Sequence, residues 1–212
     1  MAMIDKSCRD FIRELASRAP VPGGGGAAAM GGAVGVALSN MVGNLTVGKK
    51  KYANAEPEAK ELIARGERLM AEFQDLIDKD AEVFEPLSEA YRLPKTTPEE
   101  IRVKEAAMEA GAKAACLVPL EVMRKSCEGI KIHHRMGQIG STLAMSDVGC
   151  GVVFLKAALV AASLNVQINT KQINDTAFVK AKTDEMTDLL VSGSQIADET
   201  LAAVVAGLTR QS

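Results

Sequence analysis

The stretch from Ala19 to Gly48 contains no charged residue, and it restricts the possible folds of this chain more than any other segment. It is long enough to cross a bilayer, and Gly31 and Gly35 have the four-residue spacing found where membrane helices pair. It also contains two prolines, four consecutive glycines and several polar side chains, and its apolar residues are mostly Ala and Gly, which enter lipid weakly. We therefore predict a buried helix in close contact with other helices, with a membrane-spanning helix as the alternative.

The composition favours helices over strands. The 212 residues include two Tyr, five Phe and no Trp, whereas strand-rich folds use many aromatic and β-branched residues. The 25 basic and 27 acidic residues leave a net charge of −2, which offers no basic surface for nucleic acid and is too small to keep the chain disordered. The four cysteines show no paired motif, so we expect reduced thiols and a cytoplasmic protein.

Apolar residues recur at three- and four-residue steps, the period of a helix, in most of the chain. The Thr97-Pro98-Glu99-Glu100 segment has the residues of a capping box, with proline in the first turn. The predicted helices lie within Met1–Arg18, Ala27–Leu45, Glu56–Tyr91, Thr97 to about Cys127, Asp147–Asn169 and Asp175–Leu208. We predict an all-α fold: one domain of residues 1–212, a bundle of six or seven helices, some of them long and kinked at Pro86 and Pro119.

A glycine run, Gly23, Gly24, Gly25 and Gly26, opens the first of the apolar helices. Successive backbone N–H groups at a helix N-terminus attract an anion or a carbonyl oxygen. Glycines also serve close packing or a flexible loop, so the run has both a functional and a structural interpretation.

Three lysines, Lys49, Lys50 and Lys51, follow the same helix. The segment Gly43–Lys50 comes close to a phosphate-binding loop, but Lys50 stands where that loop needs a hydroxyl for Mg²⁺, and a helix precedes it instead of a strand. We therefore reject a nucleotide site. The lysines either complement the dipole at the C-terminus of the helix or bind a polyanionic tail.

Two acidic residues have positions that suggest chemistry. Asp80 lies seven residues after Phe73 and four before Phe84, near an apolar helix face, where an acid is either paired or functional. Ser146-Asp147 precedes an apolar helix, and the pair is either an ordinary N-cap with its carboxylate or part of a site.

The two histidines, His133 and His134, fall in the glycine-punctuated segment Gly129–Ser146. Adjacent residues cannot share one face of a helix, and no third ligand has metal-site spacing. We expect both to lie on the surface or in a loop, and we expect no metal site.

Taken together, the motifs resemble the formiminotetrahydrofolate cyclodeaminase and methenyltetrahydrofolate cyclohydrolase family. The matching segments, in chain order, are Pro22–Ala29, Met41-Val42, Asn44-Leu45-Thr46, Gly48–Tyr52, Asp78, Asp80-Ala81, Phe84, Leu93–Glu100, Val118-Pro119-Leu120, Ser146-Asp147 and Asn165–Asn169. The chain departs from the pattern before Ser146: the family tends to carry Gly-Asn with a further Asn, and this chain has Gly140-Ser141-Thr142-Leu143.

The resemblance implies an all-helical homodimer whose folate sites depend on the assembled subunits. Its reaction would be the hydrolytic interconversion of 5,10-methenyltetrahydrofolate and 10-formyltetrahydrofolate. The alternative is a cyclodeaminase, which closes 5-formiminotetrahydrofolate to the methenyl compound and releases ammonia. A non-catalytic helical dimer scaffold is a third possibility, because the segment before Asp147 is altered.

The resemblance also assigns roles to the candidate residues. The catalytic candidates are Asp147, Asp80 and Lys50, and the substrate-binding candidates are Gly23, Gly24, Gly25, Gly26, Asn44, Lys49, Lys51, Ser146 and Asn165. A polyglutamylated folate is the expected ligand, and we expect no cofactor beyond the tetrahydrofolate substrate, no metal, no nucleic acid and no membrane partner.

Overall fold

A computed structural model describes residues 2–209, and the regular elements of this range are all helices, which confirms the all-α prediction. The α-helices are α1 (Cys8–Leu15), α2 (Gly24–Asn44), α3 (Glu56–Arg92), α4 (Pro98–Ile139), α5 (Met145–Thr170) and α6 (Thr176–Thr209), and short 3-10 turns cover Met3–Asp5, Lys50–Tyr52 and Thr142–Ala144. The predicted domain of 1–212 extends beyond the described residues at both ends, and its boundaries stay a prediction.

Helix α2, the uncharged segment, packs against α3, α4 and α5. Its glycines make the packing close. A Cβ at Gly32 would overlap the ring of Phe73 on α3, and a Cβ at Gly35 would lie 2.7 Å from Leu155 and 3.0 Å from the Gly151 carbonyl oxygen, both on α5. This confirms the prediction of a helix in close contact with its neighbours.

Three segments, Gly24–Asn44, Thr142–Thr170 and Thr176–Thr209, are long and apolar enough to cross a membrane. In the fold, α2 and α5 lie beside α3 and α4, which carry charged side chains along their exposed faces.

Both interior prolines lie within helices that continue past them. Proline has no N–H, so Pro119 leaves the carbonyl of Ala115, four residues earlier, without its helical partner. The side-chain amide of Asn169 on α5 donates to this oxygen at 2.9 Å. The break in the α4 ladder is therefore repaired by a side chain from a neighbouring helix.

Helix α4 begins at the predicted capping box, in which the Thr97 hydroxyl and the Glu100 carboxylate each accept a backbone N–H. The prediction that it ends near Cys127 is wrong, because the helix continues to Ile139. Gly129 does not break it: a Cβ there would lie 2.8 Å from Leu155. The glycine allows close approach of α5, and the sequence pattern alone does not separate that role from a helix stop.

The expectation that His133 lies on the surface or in a loop is also wrong. This residue is fully buried on α4, and its Nε2 donates to the carbonyl of Gly35 at 2.8 Å. Burial lowers the pKa of His133 to about 4, so the imidazole is neutral at pH 7. Because a Cβ at Gly151 would overlap the ring, His133 sits at the crossing of α2, α4 and α5.

Replacing Asn169 with leucine should lower the free energy of unfolding by about 1–2 kcal/mol, because the Ala115 carbonyl then lacks its donor. In a Pro119→Ala background the residue at 119 supplies an N–H to this carbonyl. The same replacement of Asn169 should then lower the free energy of unfolding by less. Urea denaturation of the four variants gives the coupling energy. Equal losses in the two backgrounds would contradict the repair of the proline break by Asn169.

Candidate functional site

The predicted site residues form two groups at opposite ends of the α2–α5 pair. These helices run antiparallel, because Gly24 lies against Asn165 while Gly35 lies against Gly151. Asp147 and Asn165 are separated by about 27 Å along α5, from the helical rise of 1.5 Å per residue. One group, the glycine end, contains Gly23, Gly24, Gly25, Gly26, Asp80 and Asn165; the other, the lysine end, contains Asn44, Lys49, Lys50, Lys51, Ser146 and Asp147.

At the glycine end, the carboxylate of Asp80 lies at the N-terminus of α2. Its Oδ2 accepts the N–H of Gly26 at 2.8 Å, and a Cβ at Gly25 would overlap the carboxylate. The glycines thus allow an acid from α3 to approach the helix N-terminus, where the dipole favours negative charge. Burial raises the pKa of Asp80, and the Gly26 hydrogen bond opposes this shift.

A cavity of about 200 Å³ opens beside this carboxylate. Its lining includes Gly23, Gly24, Gly25, Asp80 and Asn165. Five of the predicted residues therefore border one space. Gly26 does not line the cavity, and its N–H is already bonded to Asp80.

At the lysine end, the three lysines are exposed in and beside the turn Lys50–Tyr52. Helix α2 ends at Asn44 and has no basic residue in its last turn. The lysines therefore lie beyond the helix terminus, and the explanation that they complement its dipole does not hold. The Lys51 ammonium is 3.4 Å from Thr142 Oγ1, which connects this turn to the segment before α5.

Tyr52 also lies at this end, and the sequence alone did not single it out. Its hydroxyl oxygen accepts the N–H of Thr142 at 3.0 Å and lies 3.2 Å from Thr142 Oγ1. Hydrogen bonds from the Thr142 side chain and backbone lower the pKa of Tyr52 to about 7. The tyrosine belongs to a recognised segment, but its partner is 90 residues away in the chain, so only the fold reveals the contact.

A second cavity, of about 230 Å³, lies at the lysine end between α4, α6 and the start of α5. Thr142 and Met145 form part of its wall, and His134 forms another part. His134 Nδ1 lies 2.9 Å from Thr200 Oγ1, and its Nε2 lies 3.0 Å from Gln138 Nε2, so this histidine is held on a helix and not in a loop. Among residues 2–209, no group of three or more His, Cys, Asp or Glu side chains is arranged to hold a metal ion.

Asp147 lies in the first turn of α5, partly buried, and Ser146 precedes it on the surface. The expected Ser146 side-chain cap is not formed, because α5 begins at Met145 with Ala144 as its N-cap residue. This removes the ordinary structural explanation for the serine and leaves the carboxylate at a positive helix end, five residues after Thr142, which the lysine turn contacts.

Residues 7–188 match the formiminotransferase-cyclodeaminase family. The chain belongs to this family.

The relatives include proteins with two different names. A methenyltetrahydrofolate cyclohydrolase from Methylorubrum extorquens is 38% identical over 192 residues, which are 91% of this chain and 92% of that protein. The formimidoyltransferase-cyclodeaminase of Mus musculus is 32% identical over 97% of this chain, but only 37% of the mouse protein is covered. The crystal structure of formiminotetrahydrofolate cyclodeaminase from Thermotoga maritima superposes with a TM-score of 0.86 and 27% identity, covering 95% of this chain and 97% of that one.

Replacing Asp80 with asparagine should raise the melting temperature while lowering activity. Asparagine keeps an oxygen for the Gly26 N–H but removes a charge whose burial is unfavourable, so the gain in stability should exceed the roughly 0.5 kcal/mol typical of surface changes. Asp75→Asn, exposed on the same helix, is the matched control. Thermal unfolding and turnover would be measured together, and a lower melting temperature would contradict a desolvation penalty at Asp80.

Proposed function

We propose that this protein is a methenyltetrahydrofolate cyclohydrolase, which interconverts 5,10-methenyltetrahydrofolate and 10-formyltetrahydrofolate by hydrolysis. The observation that carries the proposal is the match to the Methylorubrum extorquens cyclohydrolase, which covers more than nine-tenths of both chains. The alternative is a formiminotetrahydrofolate cyclodeaminase. It is supported by the match to the Thermotoga maritima enzyme, which also extends over nearly both whole chains.

The chemistry of the two groups fits a cationic one-carbon centre. A carboxylate near the methenyl carbon stabilises the positive charge that is shared between two folate nitrogens, and Asp147 and Asp80 are the candidates for this role. The exposed lysines suit the other end of a folate: Lys49 and Lys51 would bind the carboxylates of a polyglutamate tail, and Lys50 would serve as a further cation or as a proton donor.

We propose that no cofactor takes part. The methenyl and formyl groups have the same oxidation state, so the interconversion transfers water and a proton and no electrons. A cytoplasmic location is part of the same proposal. It is supported by four free cysteines, of which Cys8 and Cys150 are exposed and would be kept reduced in that compartment.

We propose that the protein is a homodimer that buries the exposed faces of α2 and α5. Val34 and Met41 on α2 and Leu164 and Ile168 on α5 are apolar and 40–60% exposed. Between Asp147 and the end of α5, Lys156 is the only charged side chain of that helix, and α2 has none. Such a face is costly to leave in water and is typical of an interface between subunits.

The dimer would also bring a glycine end and a lysine end together. In a two-fold dimer whose axis is perpendicular to α2 and α5, these helices cross their copies in an antiparallel sense. The glycine end of one subunit then lies beside the lysine end of its partner. A composite site of this kind explains why the predicted residues lie about 27 Å apart along one helix.

Purified protein should hydrolyse 5,10-methenyltetrahydrofolate and should act slowly or not at all on 5-formiminotetrahydrofolate. Parallel assays of methenyl absorbance and ammonia release distinguish the two activities. Ammonia release with negligible methenyl hydrolysis would identify a cyclodeaminase. Failure to bind any reduced folate would favour a non-catalytic scaffold.

Two inactive variants should restore activity when mixed, if the site is shared between subunits. Asp80→Asn removes the glycine-end acid and Asp147→Asn removes the lysine-end acid. After unfolding and refolding together, half the dimers are mixed and each has one intact site, so about a quarter of wild-type activity should return.

The matched control pairs Asp80→Asn with Asn165→Ala, which affects the same end. Every site in that mixture keeps one defect, so no activity should return. If mixed dimers of Asp80→Asn and Asp147→Asn form but stay inactive, the site belongs to a single subunit.

A further inference from the structure

The oxygen of the Tyr52 hydroxyl accepts hydrogen bonds from the groups around it. The N–H of Thr142 donates to it at 3.0 Å. The Lys51 ammonium, which has donors only, lies 3.4 Å from Thr142 Oγ1. With Lys51 donating to Oγ1, the hydroxyl hydrogen of Thr142 is free to donate to Tyr52 across 3.2 Å. Two hydrogens then point at the tyrosine oxygen.

A buried hydroxyl lies in the segment that contacts this oxygen. The hydroxyl of Ser141 is 1% exposed and has no hydrogen-bond partner among the described residues. A buried hydroxyl without a partner is uncommon. The Ser141 hydroxyl is the smallest of the influences that lower the pKa of Tyr52, and it makes no hydrogen bond to the tyrosine oxygen.

Charge favours the same form of the tyrosine. Lys51 is the charged side chain placed against Tyr52, with its ammonium 5.2 Å from the centre of the ring. Ser141 and Thr142, which approach from the segment between α4 and α5, are uncharged. Together these groups lower the pKa of Tyr52 to about 7, so a large fraction is ionised at neutral pH. An acid–base group works best when its pKa is close to the working pH.

The position of this group suits the reaction. Thr142 contacts the Tyr52 oxygen and also lines the cavity of the lysine end. That cavity is bordered by Met145, which begins α5 two residues before Asp147. Thr142 therefore connects the tyrosine oxygen with this cavity, which is large enough to admit part of a ligand.

We propose that Tyr52 is the proton-transfer residue of the hydrolysis, an assignment that rests on the proposed cyclohydrolase function. The phenolate accepts a proton from water as the water oxygen bonds to the methenyl carbon, which gives a neutral tetrahedral intermediate. The resulting phenol donates that proton to N5 as the bond between N5 and the one-carbon unit breaks. The hydroxyl of the intermediate releases its proton to solvent and becomes the formyl oxygen on N10. One water is consumed, one proton is released, and the phenolate is restored.

The composition of the chain makes the ionisation directly measurable. It has two tyrosines, Tyr52 and Tyr91, and no tryptophan. Tyr91 donates to Gln172 Oε1 at 2.6 Å and is the matched control. Ultraviolet titration of the wild type should show one tyrosine ionising near pH 7. Tyr52→Phe should remove this transition, and Tyr91→Phe should leave it. A titration in which no tyrosine ionises near pH 7 would overturn the proposal.

The kinetic test uses the same two variants and a third, Thr142→Val. In the wild type, kcat for methenyl hydrolysis should rise through pH 7 as Tyr52 ionises. Tyr52→Phe should lower this kcat by about 100-fold or more, with little change in KM, and should abolish the rise. Tyr91→Phe should match the wild type. Thr142→Val removes the strongest influence that lowers the pKa of Tyr52, so it should move the rise to higher pH while the folded dimer is kept. If Tyr52 had only a structural role, Thr142→Val would not shift the pH dependence of kcat.

The outcomes separate this proposal from the proposed function. If the wild type hydrolyses the methenyl compound and Tyr52→Phe keeps its kcat, the role of Tyr52 is overturned and the cyclohydrolase stands. If the wild type titrates near pH 7 but hydrolyses nothing, the proposed function is overturned and the catalytic role of Tyr52 with it.

Discussion

The close contact between α2 and α5 is the constraint on which the rest of the structure depends. At their crossing, Gly35 faces the carbonyl of Gly151 at a distance that a larger residue would not allow. His133 occupies the remaining space and donates to the carbonyl of Gly35. Burying a charge at such a crossing would be very unfavourable, so this contact explains why the buried face of α2 is uncharged. It also fixes the two helix ends, where the candidate residues lie.

At the glycine end, backbone groups that lack a helical partner form hydrogen bonds with side chains, and these side chains also border a cavity. Pro119 frees the carbonyl of Ala115, and Asn169 donates to it. The α2 N-terminus has free N–H groups, and Asp80 accepts one of them. Ala115, Asn169 and Asp80 all line the same cavity. Residues that satisfy the backbone at this end therefore also border the cavity, and a substitution there would affect both stability and the shape of the cavity.

The sequence predicted the helices well and the site only in part. Periodicity and the capping box located most helix ends, and the spacing of Asp80 relative to Phe73 and Phe84 placed it correctly near the apolar face. Gly129 was misjudged because a glycine that ends a helix and a glycine that admits a neighbouring helix look the same in sequence. Tyr52 was missed because its hydrogen-bond partners are far away in the chain. The separation of the two groups follows from the antiparallel order of α2 and α5, which local patterns do not encode.

A Tyr52 phenolate adds to the Asp147 carboxylate in making the charges at the lysine end compatible with a cationic reaction centre. Three ammonium groups in one turn would repel a methenyl cation while attracting an anionic tail, and a near-zero net charge over the whole chain does not remove this local conflict. A Tyr52 phenolate held by Thr142 reduces the local positive charge by one and places a negative oxygen beside Lys51. The three lysines then keep a net excess of two positive charges for the anionic tail. In the proposed reaction, a single turn of the chain thus serves both charges of the substrate, because one of its residues ionises near neutral pH.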